Sequence, residues 1–587
     1  MNGDALDLLR GQVDLVRLPF TDAESRLLLF RDENGAFRVA LARYEVTDSR
    51  TVAVSVLTLT DAAGDPLPHT AVAGADEVVC ETGQGPVRFW FADPETLGIR
   101  AEGASLGLRF AAEPGWHVDW AADGAEIEAE TRADGGAAVR CQFGPDGGTL
   151  ALRVSATVPS EPLSLPTAGP EEARARWRAW LAAAPEVDPP LRAKAALAWW
   201  VLRANQIRPG ADPRWLGVAP SKIGYVAVWN WDSCFHAVAL RQIDPGLARD
   251  QLRLLLAHQR ADGMQPDTIH DGGVLGTMAD LPPNELAQYL PADATPEQRA
   301  ALLRTPITKP PLLAWAAAKI DAVAPDDAFL AEAFPALERA HDWWGASTTD
   351  PATGLCTYGH PFSSGLDDSP LWDGGPPVVA PELNAYLVLE CDALGRIAER
   401  LGHPDVAARY RAEAAVVTDR LLRHLWDPAA GTFWPLRDGQ PIRIRTPFSL
   451  MPLLTGRLPQ DVADRLVAEL SDPSRFWPRF PVPTVALDEA TFDPGTMWRG
   501  PVWGNVNLLL AEGLRRSGRA GEADRLGERT IAMLLAQPDF GEYTNPLTGL
   551  PPRRAKPMFS WTAAAFLEFA RLAGQPASGP EVPVLSD

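Results

Sequence analysis

Apolar and polar positions alternate in short runs along the first 160 residues. Runs at 27–30 and 37–41 flank Asn34-Gly35, a pair that accepts the positive φ angles of a tight hairpin turn. The stretch TVAVSVLTLT at 51–60 alternates over its whole length, and further runs lie at 87–92, 106–111, 126–130, 138–143 and 149–156. A period of two broken by Gly and Asp predicts antiparallel strands, so residues 1–160 read as an N-terminal β-sandwich. Several prolines at 160–170 precede a helix at 170–184 that opens on Pro and two Glu, so 161–187 reads as a linker with a helix. From 188 the period is helical. Helices are expected at 188–207, 232–242, 245–259, 310–323, 326–345, 381–401, 404–426, 447–456, 459–470, 501–517, 519–536 and 558–573. No repeat of fixed length marks a solenoid. Twelve helices joined by alternately long loops predict a multidomain, mainly α chain whose 188–575 form an (α/α)6 toroid barrel of six inner and six outer helices, followed by a disordered tail at 576–587. The long loops, at 208–231, 261–309, 346–380, 471–500 and 538–557, are where function is expected.

Charge narrows the partners. The 587 residues carry 54 Lys+Arg against 76 Asp+Glu, a formal net charge of −22. Nucleic acid and anionic lipid are disfavoured, because basic patches supply most of the affinity for both. No apolar run reaches the length of a signal peptide or a membrane span, which leads to the expectation of a cytoplasmic protein with no membrane partner. Five widely spaced cysteines show no metal-type spacing, so neither disulfides nor a zinc site are expected; no EF-hand-like loop is present, and no cofactor is implied. The sequence leaves a homo-oligomer open.

The aromatic composition is lopsided, with 20 Trp against 7 Tyr. Fifteen of the Trp follow residue 186, and Trp215, Trp229, Trp231, Trp372, Trp434, Trp477, Trp498 and Trp503 fall in loops, several within segments that carry charged or amide residues: Trp229-Asn230-Trp231-Asp232, Trp372-Asp373 and Trp498-Arg499-Gly500-Pro501-Val502-Trp503. Indole faces stack on the C–H faces of a sugar while neighbouring charged groups bind its hydroxyls, so these loops read as a carbohydrate pocket rather than as core. Two loop segments hold carboxylates among glycine and aromatics: HPFSSGLDDSPLWD at 360–373, with adjacent Asp367 and Asp368, and FGEYTNPLTG at 540–549, with Glu542. Repulsion between neighbouring acids and desolvation by Phe or Trp both raise a pKa, which favours a proton donor. A turn or cap role for either Asp, and a salt bridge for Glu542, remain the plainer alternatives.

At these residues the sequence resembles glycoside hydrolase family 63 and its bacterial mannosylglycerate and glucosylglycerate hydrolase relatives. The resemblance rests on YVAVWNWDSCF at 225–235, the 360–373 segment, PELNAYLVLE at 381–390, WRGPVW at 498–503, and the stretch from Glu542 to FSWTAA at 559–564. It covers about residues 190–570, with the motifs in family order. The resemblance implies an (α/α)6 barrel, often with an N-terminal β-sandwich, and an inverting, exo-acting α-glycosidase, α-glucosidase-like, for a small α-glucoside or α-mannoside. Carried over by motif, Asp367 is the general acid and Glu542 the general base. Tyr225, Trp229 and Asp232 line the sugar subsite, and Phe362, Gly365, Trp498, Arg499 and Trp503 join them in substrate binding. Inversion needs carboxyl groups roughly 6.5–9.5 Å apart, with room for the attacking water. Two positions depart from the family. HPWESG becomes HPFSSG at 360–365, with Ser363 in place of Glu, and Lys309 replaces the Gln of a QPP motif. Lys309 reads either as a partner for a carboxylate-bearing aglycone such as glycerate or as half of a salt bridge to a nearby acid. A sugar lyase or epimerase on the same toroid, with a base such as His236, His270 or His360, and a catalytically inactive sugar-binding protein are the competing readings.

Overall fold

The computed structural model describes residues 5–44, 47–51, 53–61, 63, 65–101, 107–112, 116–119, 126–129, 138–143, 149–155, 169–291, 293–573, 581 and 584. The chain divides into two compact units. The first comprises 1–207, 219–226 and 556–558, and the second 208–218, 227–555 and 559–587.

The first unit contains two antiparallel sheets. One is ordered β1-β2-β3-β8-β9, from β1 (Leu27–Arg31), β2 (Phe37–Leu41), β3 (Ala53–Thr60), β8 (Gly107–Ala112) and β9 (Trp116–Asp119). The other is ordered β10-β11-β12-β7-β6-β5-β4, from β4 (His69–Ala73), β5 (Val78–Thr82), β6 (Gly85–Asp93), β7 (Thr96–Ala101), β10 (Glu126–Ala129), β11 (Ala138–Phe143) and β12 (Thr149–Ser155). Asn34-Gly35 does turn the first hairpin, with Gly35 at φ 92° and Arg31 opposite Phe37. Phe37 of the first sheet meets Phe89 of the second with ring centroids 4.9 Å apart. Strand β4 carried no usable signal in the sequence. It is the edge strand, its residues alternate only between partly and fully exposed until Ala73, and HTAVA has little apolar contrast. Helix α1 (Pro170–Ala182) packs Ala173 against Trp90 and Ala92 of β6, and α2 (Arg192–Ala204) also belongs to this unit. The first part of the expected linker, 161–168, lies outside the described residues.

The second unit is mainly helical. In order it holds α3 (Asn230–Leu240), α4 (Pro245–Ala257), α5 (Pro283–Tyr289), α6 (Pro296–Leu303), α7 (Leu313–Val323), α8 (Asp327–Thr348), α9 (Pro361–Ser364), α10 (Pro381–Arg400) and α11 (Pro404–His424). A 3-10 stretch, Pro447–Thr455, precedes α12 (Gln460–Leu470), α13 (Gly504–Arg516), α14 (Ala520–Leu535) and α15 (Ser560–Ala573). Proline opens many of these helices, where its missing N–H costs nothing. At α4 the Asp244 side chain also caps the Leu247 N–H. The helix expected at 447–456 is a 3-10 helix instead: Pro452 removes a donor inside it, and Gly456 ends it in the left-handed region at φ 63°. Helices α5 and α6, inside a stretch expected to be loop, bury little and give no amphipathic signal.

Two kinds of helix alternate. Helices α3, α7, α10, the Pro447–Thr455 stretch, α13 and α15 are buried almost throughout. Helices α4, α8, α11, α12 and α14 bury one face. Each of the buried set packs against the next, and α15 returns to α3. A helix apolar all round has to be surrounded by protein, and the amphipathic set supplies that cover. The Glu581 carboxylate pairs with Arg241 at 2.9 Å and Arg571 at 2.7 Å, and most of the expected disordered tail lies outside the described residues. Among the described residues, no helix is long and apolar enough to cross a membrane.

Glu382, in the first turn of α10, is buried, and neither carboxylate oxygen has a hydrogen-bond partner among the described residues. Burial pushes its pKa from 4.5 up to about 8. The folded state thus holds this proton more tightly than the unfolded chain, so its contribution to stability is full below about 4.5 and is lost as pH rises through about 8. Melting curves of Glu382→Gln, set against wild type across that window, are expected to lose this part of the decline, a few kcal/mol.

Candidate active site

The second unit gathers its acidic loop residues around a single lysine. A small antiparallel sheet pairs Val228–Trp229 with Thr268–His270, and the Asn230 N–H donates to the Asp267 carbonyl at 2.9 Å. This pairing sets Asp267 beside the first turn of α3, which carries Asp232. Lys309, on the segment leading into α7, lies with Nζ 3.2 Å from Asp267 Oδ2 and 4.0 Å from Asp367 Oδ1, and donates to the Phe362 carbonyl at 2.7 Å. Burial works against the Lys309 charge, but Asp267, Asp367 and Asp232 outweigh it and raise its pKa. Lys309 is therefore the salt-bridge partner of a neighbouring acid, the plainer of its two readings, and supplies the positive charge amid these carboxylates. Burial raises Asp232 well above the usual carboxylate range, with Lys309 pulling it down and Asp267 and Asp367 pushing it up. Asp267 is raised by burial as well, against Lys309 and a hydrogen bond from Thr268 Oγ1 at 2.9 Å.

The 360–373 loop separates the roles of its two adjacent acids. His360 Nδ1 accepts from the Phe362 N–H at 3.1 Å, and Gly365 ends the short α9 in the left-handed region at φ 71°. Asp368 Oδ1 accepts the Trp498 N–H at 2.8 Å, so this carboxylate is committed to holding the loop. Asp367 keeps 34% of its side chain exposed, and its Oδ1 has no hydrogen-bond partner among the described residues. Burial pushes its pKa up to about 6, with Lys309 lowering it and Asp267 and Asp368 raising it. Asp367 is thus a carboxyl that keeps its proton up to about pH 6 and is partly open to the outside.

Gly365 has no room for a side chain. A Cβ there would lie 2.4 Å from Trp231 Cζ2, and its φ is unfavourable to any L side chain. Gly365→Ala is expected to cost about 2 kcal/mol or more and to displace Asp367 two residues on. Thermal melts and turnover of that variant check both effects; a wild-type melt would contradict the crowding.

Segment 498–503 links this loop to Glu542. Trp498 stacks on Trp503 with centroids 3.8 Å apart and planes at 4°, and Trp503 meets Tyr543 at 4.9 Å. The backbones of Val502 and Thr544 exchange hydrogen bonds of 2.7 and 2.9 Å. Glu542 is buried. Arg499 forks onto Asp373 at 2.8 and 2.9 Å and donates to the Asp368 carbonyl at 3.0 Å. Asp367 and Glu542 thus stand on loops fastened to one indole-rich segment.

The loop Trp residues differ in burial. Trp231, Trp372, Trp434, Trp498 and Trp503 are buried, the last two to 1% exposure. The rings of Trp231, Trp498 and Trp503 pack on one another, on Trp561 and on Tyr543, whereas Trp372 meets Tyr358 and Trp434 lies beneath Arg443 and Arg445. Trp215, Trp229 and Trp477 are only partly buried, and Trp229, at the start of α3, stands nearest the acids in sequence. Phe362 packs on Tyr289 at 5.6 Å with the Lys309 ammonium 5.7 Å from its ring. Tyr225 belongs to the first unit and is partly buried. His236 is fully buried and pushed down to about 3 by burial, which leaves it neutral. Sequence reasoning missed Asp267, which lies in a long loop with neither glycine nor an aromatic beside it; the preceding proline was its only signal. A cavity of about 640 Å³ in the first unit, lined by Arg88, Arg100, Arg174 and Glu77 among others, holds none of the candidate residues.

The sequence and fold are similar to those of known proteins. Residues 225–562 match the family described as the mannosylglycerate hydrolase MGH1-like glycoside hydrolase domain. Mannosylglycerate hydrolase of Thermus thermophilus is 30% identical over 412 residues, covering 59% of this chain and 95% of that protein. Glucosylglycerate hydrolase of Mycolicibacterium hassiacum is 27% identical over 454 residues, covering 64% of this chain and 97% of that protein. The crystal structure of a GH63 mannosylglycerate hydrolase from Thermus thermophilus in complex with Tris and D-glycerate superposes with a TM-score of 0.52 at 26% identity, over 64% of this chain and 98% of that one. The match spans more than half of the chain, which belongs to the mannosylglycerate hydrolase MGH1-like family and is a glycoside hydrolase.

Proposed function

We propose that the protein is an inverting, exo-acting α-glycosidase for a small α-glucoside or α-mannoside, with Asp367 as general acid and Glu542 as general base. The observation that carries this reading is the contrast between two adjacent acids: Asp368 is bound to a backbone N–H, while Asp367 is partly open and pushed up to about 6. Asp367 would protonate the glycosidic oxygen while Glu542 directs a water at the opposite face of the anomeric carbon. Asp232 and the partly buried Trp229 would hold the sugar, with Phe362 contributing. Arg499 would act through its hold on the Asp368 and Asp373 loop. The closed succession of buried helices from α3 to α15, with amphipathic helices outside it, supports an (α/α)6 barrel over 188–575. The Phe37–Phe89 contact supports a β-sandwich in 1–160.

The printed names of the relatives direct the substrate reading toward glycerate conjugates. The test is a panel of α-mannosyl- and α-glucosylglycerate, neutral α-linked disaccharides and aryl glycosides, scored by released hexose. Turnover of at least one α-glucoside or α-mannoside supports the reading. Turnover of none, or formation of an unsaturated or epimerised sugar, overturns it.

A further inference from the structure

Away from the acidic loops, three helices direct different ligand atoms at one point. His341 of α8 and Cys391 of α10 are buried, and Glu413 of α11 is partly exposed. His341 Nε2 lies 3.0 Å from Glu413 Oε1 and 3.6 Å from Cys391 Sγ, and the three ligand atoms all lie within 4.8 Å of one another. The Tyr410 ring stands edge-on to the imidazole at 5.6 Å and fixes its plane. Hydrogen bonding alone serves this junction poorly. A single ring nitrogen carries one proton at most, yet it faces both a carboxylate oxygen and a sulfur. If that proton goes to Glu413, Nε2 offers the thiol no lone pair to donate to, and the sulfur is left at most a weak acceptor.

The geometry points to a binding site for a zinc-like divalent cation held by His341 Nε2, Cys391 Sγ and Glu413. Tetrahedral zinc, with bonds of about 2.0–2.1 Å to nitrogen and about 2.3 Å to sulfur, places those two atoms about 3.5 Å apart. The observed 3.6 Å matches that pair, and the partly exposed Glu413 side chain has to close the remaining separation, at most 4.8 Å. A thiolate and an imidazole select zinc or cobalt over magnesium or calcium, which prefer oxygen ligands. On binding, the Cys391 thiol releases its proton to solvent, Nε2 donates its lone pair with the ring proton carried on Nδ1, and a water completes the fourth position. The 41% exposure of the Glu413 side chain gives the ion and that water a way in. The expected absence of zinc rested on local cysteine spacing. Ligands 50 and 72 residues from His341, one on each of three helices, leave no such spacing. The ion would clamp α8, α10 and α11 together, outside the acidic cluster around Lys309.

The test equilibrates the full chain with Zn(II), removes free metal and measures bound zinc, with Co(II) as a spectroscopic probe. We expect about one zinc per chain, a thiolate-to-cobalt charge-transfer band and a melting temperature raised by added zinc. Cys391→Ser should abolish the band, and Glu413→Gln, at a partly exposed position that tolerates an isosteric amide, should weaken zinc binding about tenfold or more. Wild-type protein that binds no zinc overturns the site. So does undiminished zinc binding by a folded Glu413→Gln, or a charge-transfer band that survives in Cys391→Ser.

Discussion

Asp367→Asn is expected to lower kcat/KM on an alkyl α-glycoside by about 10²–10⁴-fold, the usual worth of a positioned proton donor. The substitution keeps the shape of the side chain and removes only the proton it can give, so the melting temperature should stay near that of wild type. Two further readouts separate an acid from a structural residue. The loss should shrink on an aryl glycoside whose phenolate leaves without help. The alkaline limb of the wild-type pH profile should fall near about 6, the pKa to which burial pushes Asp367, because activity needs the protonated form and is lost as pH rises through that value. Asp367→Asn should abolish this limb. Glu542→Gln is expected to cost a similar factor but to spare no substrate, because activation of water is independent of the leaving group. Equal losses on both substrate types for Asp367→Asn would remove it as the acid.

Replacing Lys309 by Met carries the second large effect. The ammonium is buried and neutralises a cluster in which Asp232, Asp267 and Asp367 face one another. Removing one partner of a buried pair leaves uncompensated charge and costs about 3–5 kcal/mol. Part of that cost is relieved when the acids take up protons. The stability loss should therefore be smaller at low pH, where they are protonated in any case, and larger at high pH. Lys309 lowers the Asp367 pKa, so its removal should also move the alkaline limb above the wild-type position. Melts and kcat/KM profiles across pH measure both effects. An unshifted limb together with an unchanged melt would show that Lys309 does not act on the acids.

Much of the second unit is legible because its outer helices must bury one face and expose the other. Helices α11 and α14 follow the 3.6-residue period closely, and Pro at the first position marks several starts. The inner helices are apolar all round and are recognised by length and caps rather than by period. The edge strand β4 and the weakly buried α5 and α6 lie below that signal, since partial exposure removes the contrast on which the pattern depends. Composition singles out the Trp-bearing loops but does not separate a buried indole from an open one. An indole beside Asp and Arg looks the same in sequence whether it faces a ligand or another indole, and Trp498 and Trp503 face each other. The adjacency of Asp367 and Asp368 was visible, but which of them is free depends on the Trp498 N–H, 130 residues away. In the sequence Lys309 stands out only as a departure from the family motif, and its partner Asp267 comes from a strand pairing that no local pattern encodes.

The account centres on one acid and one base acting from opposite faces of the anomeric carbon. The most direct measurement follows turnover of an α-glycoside substrate by proton NMR from the first seconds, before the released sugar mutarotates. The account predicts that the β-anomer forms first and then decays toward equilibrium with the α-anomer. First formation of the α-anomer would indicate retention, and with it a covalent intermediate that the pairing of Asp367 with Glu542 does not provide.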